Sequence, residues 1–507
     1  MKWLLRIGIG LGALIVLVAV ALYVWLPPVN IPLKGMLANW FPRVFAVRTT
    51  DAATVKSRLV VPAGYGIGLF ARDVPNARMV RVTASGDLLV ASPDKGRVWW
   101  FSKTLGANGQ SAERRVLLGG LDGPNGLDFH DGYLYVAEQG KVGRVKFDEA
   151  GRIDGTYETV IDGLPPGGNH WKKTIRFGPD GLLYLNIGSS CNVCLEKDNR
   201  RAAMLRYTPD GKFVDVYATG LRNAAGLDWN SAGELYATDN GRDLLGDDFP
   251  PCELNLIRQG GFYGWPFANG DRVPDPDLGA GRDAVIAAST PPAFAFRAHN
   301  APLGMVFLKS AKQPDAFRGD ALVALHGSWN RSTKDGYKVV ALHWDADGSV
   351  HSRDFVTGFL VDENVIGRPA EVTEDADGTI YVSDDYANAI YRIVPGGTRA
   401  LEIGKAEAPH AGGIDAPVDP QLVVRGATAF GQRGCQECHA LEGDGKDGRV
   451  VLANLKGRYD AATLIDYLAK PRQPMPPVDD ADARAALAAF LLDRPPLRGG
   501  TVSQGAS

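Results

Sequence analysis

One pattern returns six times between residues 80 and 383: an apolar segment, a turn built on Asp-Gly or its like, then an alternating strand ending near a polar or acidic residue. It runs through Val80-Arg81-Val82 into Gly86-Asp87-Leu88-Leu89-Val90-Ala91, then through Gly126-Leu127-Asp128-Phe129 into Gly132-Tyr133-Leu134-Tyr135-Val136-Ala137. It returns over Ile175 to Tyr184, Gly226 to Ala237, Gly304 to Ala324 and Glu371 to Ser383. A strand-turn-strand unit repeated at blade-length spacing predicts an all-β six-bladed β-propeller over 51–396. A pair of packed sheets would not account for repetition over so long a span. The 61 Gly and 32 Pro and the lack of long helical periodicity agree with an all-β body.

Beyond the repeats, 397–419 is rich in Ala, Gly, Pro and charge and reads as a linker. Residues 420–495 follow as a small all-α domain, and 496–507 as a flexible tail. Cys435-Gln436-Glu437-Cys438-His439 lies in that domain. Two cysteines so spaced, with a histidine directly after them, can hold a haem by two thioether bonds, His439 being the proximal iron ligand. Met475, on the proline-stiffened run Pro474-Met475-Pro476-Pro477, supplies a thioether suited to the sixth position. A short helical stretch from Ala461 to Leu468 and a terminal helix from Asp480 to Leu492 surround it. Together these features resemble a class I cytochrome c domain. A zinc or disulfide reading of the two cysteines leaves the distal Met and the closing helix without a role.

At the other end Lys2 and Arg6 precede an apolar, uncharged run from Ile7 to Leu26, about the 20 residues that cross a bilayer. The expectation is a transmembrane signal-anchor over 1–27 and a linker over 28–50. Positive residues on the near side keep the N-terminus cytoplasmic and export the rest, so catalytic and haem domains belong in the periplasm. A cleaved signal peptide is the competing reading; no small-x-small site is evident near Ala21 to Trp25, and Tyr23 and Trp25 suit an interfacial belt. With 55 basic against 58 acidic residues and no basic block, nucleic acid is not an implied partner.

A propeller carries its function where loops meet the central channel. The polar loops here hold Gly167-Gly168-Asn169-His170, Arg222-Asn223, Asn240-Gly241-Arg242, Gly246-Asp247-Asp248, His326 to Arg331, and Gly367-Arg368. Arg222, Arg331 and Arg368 come from different blades. Unpaired guanidiniums repel, so their convergence predicts an anionic ligand.

The runs GGNHWKKTIRFGPDGLLYLNIGS from Gly167, GLRNAAGLDW from Gly220 and ELNLIRQGGFYGWPFANG from Glu253 resemble the pyrroloquinoline quinone (PQQ)-dependent soluble glucose dehydrogenase and sorbosone dehydrogenase family. The resemblance covers the propeller. It implies that His170 is the general base for hydride transfer from a sugar to PQQ, and that Arg222 and Asn223 polarise the quinone carbonyl. It implies further that the backbone carbonyls of Gly241 and Arg242 hold a calcium ion, and that Arg368 contacts the cofactor; Arg331 is expected to bind it from the convergence of the three arginines. Two departures are visible. Ser189 stands where the glucose enzymes place an acidic residue behind the histidine, and Ala370 replaces a second arginine after Arg368. Without a carboxylate behind it, His170 is expected to be a weaker base with a near-ordinary pKa of ~6.5. The runs Ser189 to Cys194 and Gly327 to Arg331 look closer to the sorbosone side, so glucose is not implied as substrate.

Five cysteines are present, two of them in the haem motif. Cys191 and Cys194 are compatible with a zinc half-site, a thiol pair or a small-loop disulfide. An oxidising compartment favours the disulfide, leaving Cys252 as a buried thiol, with a bridge from Cys252 to Cys191 or Cys194 also open. The domain order implies a quinohaemoprotein: a two-electron sugar or aldehyde oxidation at the propeller, then one-electron steps through haem to a membrane quinone pathway or a soluble cytochrome. A propeller lactonase or esterase, or a ligand-binding sensor, fused to a haem domain is the alternative.

Protein produced with a haem-attachment system should give a c-type pyridine haemochrome spectrum. Met475→Ala should keep the haem, lower its reduction potential and abolish the weak sulfur-to-iron absorption; no c-type signal in the wild type would refute the haem assignment.

Overall fold

The computed structural model describes residues 50–148 and 151–397, most of 420–492, and only Gly10, Gly12, Leu14 and Leu17 before residue 50. The anchor over 1–27, the linkers, Cys438, Pro474 and the tail therefore lie wholly or largely outside the described residues. Among the described residues no helix is long and apolar enough to cross a membrane.

Six antiparallel blades form the body, five of them four-stranded and the third extended by a short fifth strand, Gly261–Phe262, that pairs in parallel with Phe213–Thr219. Their inner pairs are Val80–Val82 with Leu88–Ser92, Leu127–His130 with Tyr133–Ala137, and Lys173–Phe177 with Leu183–Ile187. The ring continues with Ala224–Trp229 and Leu235–Asp239, Pro302–Phe307 and Ala321–Leu325, and Pro369–Glu374 and Ile380–Asp384. These are the six repeats of the sequence. The second strands at Leu88–Ser92, Leu183–Ile187, Leu235–Asp239, Ala321–Leu325 and Ile380–Asp384 are buried at every position. A blade is covered on both faces by its neighbours, so these strands read as continuous apolar runs. The outer strand Ile153–Ile161 is mostly exposed.

The core is accordingly a set of seams between blades, not one central mass. Leu89, Val98, Leu127 and Val136 fill the seam between blades one and two; Tyr135, Val142, Ile175 and Leu185 fill the next. The sequence reading did not anticipate how the ring closes. Gly64–Arg72, the first strand of the propeller, pairs antiparallel with Ala389–Gly397 and completes blade six from outside. Phe70, fully buried on that strand, meets Tyr381 edge-on at 5.0 Å and Phe101 of blade one at 6.2 Å.

In the C-terminal segment, helices Pro420–Gln432, Ala461–Ala469 and Ala481–Leu492 are present. The last two match the stretches expected from the sequence to within a residue. At Gly426 a Cβ would lie 1.9 Å from the Ala486 carbonyl oxygen, so only glycine lets the first and last helices approach this closely. Phe430, Leu464, Leu468, Leu487 and Leu491 make a small core there, against which Cys435 and Met475 pack.

Phe70→Ala should destabilise the propeller by about 3–5 kcal/mol, the usual cost of truncating a buried Phe. The shift of the propeller transition in urea measures this; a loss typical of surface sites would show that closure does not depend on this strand.

Candidate active site

A cavity at one end of the channel takes lining residues from all six blades: Arg78, Asn125, His170, Lys172, Asn223, Leu303 and Glu371 among them. Each sits just before an innermost strand or within its first three residues. The repeat therefore brings six sequence-distant loops to one mouth.

His170 stands in the loop before Lys173–Phe177, where the sequence placed it. Its Nδ1 lies 2.8 Å from Ser189 Oγ, and that hydroxyl donates to the Cys191 carbonyl at 2.7 Å. A serine has one proton to give. With it spent on Cys191, Ser189 accepts from His170 Nδ1–H, and Nε2 is left as the basic nitrogen of a neutral ring. Gly188 makes the packing feasible: a Cβ there would lie 2.5 Å from His170 Cβ and 3.3 Å from Asn223 Oδ1. Burial, with Arg222, Arg201 and Lys172 nearby, pushes His170 down to about 3. The expectation of a near-ordinary pKa is thereby corrected: the imidazole is neutral across the working range because charge is costly in this cationic, partly dry setting.

The arginines are placed differently from the sequence expectation. Arg222 is buried, and all five of its guanidinium N–H groups are engaged. Nε donates to the Asn192 carbonyl, one terminal nitrogen to the carbonyls of Asn240 and Gly241, and the other to Asn192 Oδ1 and Asp243 Oδ2. Arg331 donates to the carbonyls of Asp247, Ala298 and Thr333, and to Asp248. Arg368 donates to the carbonyls of His326 and Gly327 and lies over the Tyr337 ring. The premise of three unpaired guanidiniums does not hold, and none of the three lines the cavity. Asn223 does line it, its backbone N–H donating to Asp239 Oδ1 at 2.6 Å. The Gly241 carbonyl faces Arg222, and the Arg242 side chain pairs with Asp275 and Asp277.

The cations that do line the cavity are Arg78 and Lys172, which the sequence reading passed over. Arg78 pairs with Asp385, whose other oxygen lies 2.8 Å from His326 Nε2. Lys172 sits 4.2 Å from the centre of the Trp171 ring, and burial with Arg78 beside it pulls it down to about 8. Lys172 could have been noticed two residues past His170; Arg78 carries no local motif. Glu371, raised to about 7 by burial, is the acidic group of the lining.

Cys191 and Cys194 form a disulfide, and Cys252 is a buried free thiol. In the C-terminal segment His439 Nδ1 is buried and has no hydrogen-bond partner among the described residues, and both Cys435 and Met475 adjoin the small core.

Residues 133–392 match the family model described as glucose/sorbosone dehydrogenase. The chain is 29% identical over 362 residues to an uncharacterized protein of Borreliella burgdorferi, covering 68% of this chain and 93% of that one. It is 25% identical over 417 residues to the pyrroloquinoline quinone-dependent pyranose dehydrogenase of Coprinopsis cinerea, covering 68% of this chain but 56% of that protein's length. Among solved structures, the holo PQQ domain of the Coprinopsis cinerea pyranose dehydrogenase superposes with a TM-score of 0.57 at 22% identity, over 66% of this chain and 97% of that one. The calcium structure of a carbohydrate-active enzyme from Trichoderma reesei gives 0.58 at 21%, over 67% and 97%. These two likenesses show the fold.

A histidine held at about 3 when folded and at ~6.5 when unfolded makes a contribution to stability that is present above pH ~6.5 and lost as pH falls towards 3, because the unfolded chain takes up the proton first. His170→Gln, which cannot titrate, should therefore lose less stability than wild type on acidification through that window, as read by urea unfolding at stepped pH. Equal losses would mean that His170 is not held neutral.

Proposed function

Starting from a chain that belongs to the glucose/sorbosone dehydrogenase family and is an oxidoreductase acting on sugars, we propose that it is a PQQ-dependent dehydrogenase of a sugar or sugar-derived aldehyde. The carrying observation is His170 at a six-blade cavity, its proton fixed on Nδ1 by Ser189 and its Nε2 left basic. The donor set of the mouth suits an anionic, planar, acceptor-rich cofactor: two cations, Arg78 and Lys172, and the amides of Asn125, Asn169 and Asn223. When bound, PQQ supplies an electrophilic quinone that takes the hydride from the sugar carbon.

The chain's own part is binding and proton handling. Lys172 and Arg78 would hold carboxylates of the cofactor, and the Asn223 amide would donate to a quinone oxygen. Arg222, Arg331 and Arg368 act from behind the lining, holding its loops and adding positive field. His170 accepts the hydroxyl proton at Nε2 while Nδ1–H stays on Ser189 Oγ. The buried, cation-flanked ring then releases that proton readily. Calcium would be held by the carbonyls of Gly241 and Arg242; a carbonyl has two lone pairs, so Gly241 can serve Arg222 and a cation together.

The C-terminal segment extends the reading. Cys435 and Cys438 would hold a haem covalently with His439 and Met475 as iron ligands, and such a haem would supply one-electron steps towards a membrane quinone pathway or a soluble cytochrome. The Cys435 and Met475 side chains at one small core, with a buried His439 Nδ1 that has no partner among the described residues, support that assignment. The residue 1–27 segment would anchor the enzyme in the cytoplasmic membrane with both domains in the periplasm.

His170→Ala should slow reduction of bound PQQ by about 10²–10⁴, the usual size of a general-base contribution, while PQQ titration stays near wild type. Stopped-flow absorbance before any haem reduction is the measurement. A wild-type rate would remove His170 from the chemistry. Lactone turnover by the wild type without PQQ or an acceptor dye would favour the hydrolase alternative.

A further inference from the structure

We infer that the loop closed by the Cys191–Cys194 disulfide is a positioning element that fixes, from two consecutive residues, both the proton on His170 and the place of Arg222. The inference rests on reading His170 as the base. Cys191 supplies the first half. Its carbonyl takes the only proton of Ser189 Oγ at 2.7 Å, which obliges that hydroxyl to accept from His170 Nδ1 at 2.8 Å. The tautomer of the base is thus set two bonds away, by a backbone carbonyl.

Asn192 supplies the second half. Its carbonyl accepts from Arg222 Nε at 2.9 Å and from Trp265 Nε1 at 3.3 Å. Its Oδ1 accepts from Arg222 and from the Asp243 backbone, both at 2.8 Å, and its Nδ2 donates to the Asp243 carbonyl at 3.1 Å. One side chain therefore ties the disulfide loop to the 240–243 loop, whose Asn240 and Gly241 carbonyls also hold Arg222.

Nothing in the sheet does this work. The loop lies between strands Leu183–Ile187 and Ala203–Tyr207, outside either ladder. Its carbonyls stay aimed because the disulfide closes it on itself and because Glu196 receives both Ser190 N–H and Ser190 Oγ–H. A carboxylate at position 189 could orient the histidine directly. With serine there, orientation depends on what receives the serine proton, and the disulfide loop is that receiver. The two cysteines are thus positioning residues, as are Ser189 and Asn192.

The test reads the imidazole itself, in cofactor-free protein, by nitrogen-15 NMR of labelled histidine. Wild type should show His170 with Nδ1 protonated and Nε2 bare. Cys191→Ser/Cys194→Ser should populate the Nε2–H tautomer, and Ser189→Ala should do so with the disulfide intact. A pure Nδ1–H tautomer in either variant would overturn the proposal, and Ser189→Ala decides alone if the double variant fails to fold. Asn192→Ala removes the Oδ1 partner of Arg222 Nη2 and both ties to the Asp243 backbone, so it should lose the protected Nη2 signal of Arg222 and, once loaded with PQQ, about 10-fold or more in turnover, at the lower end of what removing an orienting outer partner costs. Asn192→Ala with unchanged Arg222 signals would overturn the second half. A wild type that binds no PQQ would sink the dehydrogenase reading but leave the tautomer result to stand on its own.

Discussion

Closure of the ring is the constraint on which everything else depends. Each inner strand is held by apolar seams on both sides, and a seam exists only if its neighbour is present. Gly64–Arg72 supplies the missing outer strand of blade six, and its Phe70 reaches across to Phe101 of blade one. The last seam, with Val80, Leu88, Tyr381 and Ile390, is thereby filled from both ends of the propeller. Only a closed ring brings the starts of six strands around one cavity. The mouth is therefore a property of the whole circuit, and a defect in a distant seam would be felt there as misplacement of His170 against Asn223.

The electrostatics of the mouth follow from burying many charges in a small space. A guanidinium out of water needs most of its donors met, and Arg222 has every one met by the chain. This makes it a fastening of the 192 and 240–243 loops first and a source of positive field second. Asp239 shows the complementary cost: burial raises it to about 7 even though it accepts from the backbone of Arg222 and Asn223. The cations left to meet a ligand are those nearer the open space, Arg78 and Lys172, and burial, with their mutual repulsion added, lowers Lys172. An anion entering the mouth would relieve that repulsion, which gives the cavity a preference for negative charge without calling on Arg222, Arg331 or Arg368.

The repeats were legible because a blade's two inner strands keep their apolar run and turn regardless of what the loops do. The His170 loop was legible for a similar reason: a long unbroken string, Gly167 to Ser189, carries its resemblance. The closing strand was not, since Gly64–Arg72 pairs with residues more than three hundred positions away and has no turn beside it to mark the pairing. The arginines show the sharper limit. Arg222, Arg331 and Arg368 are placed by the sequence on different blades, but their partners are mostly backbone carbonyls, which every residue owns and no pattern announces. The same blindness hid Arg78, whose partner Asp385 is brought near only when blade six meets blade one. The disulfide, by contrast, was the reading that compartment chemistry favoured among several, and the structure contains it.

Serine at position 189 has a consequence for the whole site. A carboxylate there would stabilise an imidazolium, raising the histidine towards the point where it rests charged and cannot accept a proton. It would also place a negative group against Arg222 and Lys172, cancelling part of the field that favours an anionic cofactor. A hydroxyl orients the ring without adding charge, so the base remains neutral and the mouth remains positive. The price is a ring that holds a captured proton weakly, since burial and three neighbouring cations oppose the imidazolium. Such a base serves best when the proton need not be stored, that is, when it moves on towards solvent as the hydride departs. Neutral orientation of His170 and positive charge around the cofactor are therefore one arrangement, and the carbonyl of Cys191, which settles where the serine proton goes, belongs to it as much as the residues that face the cavity.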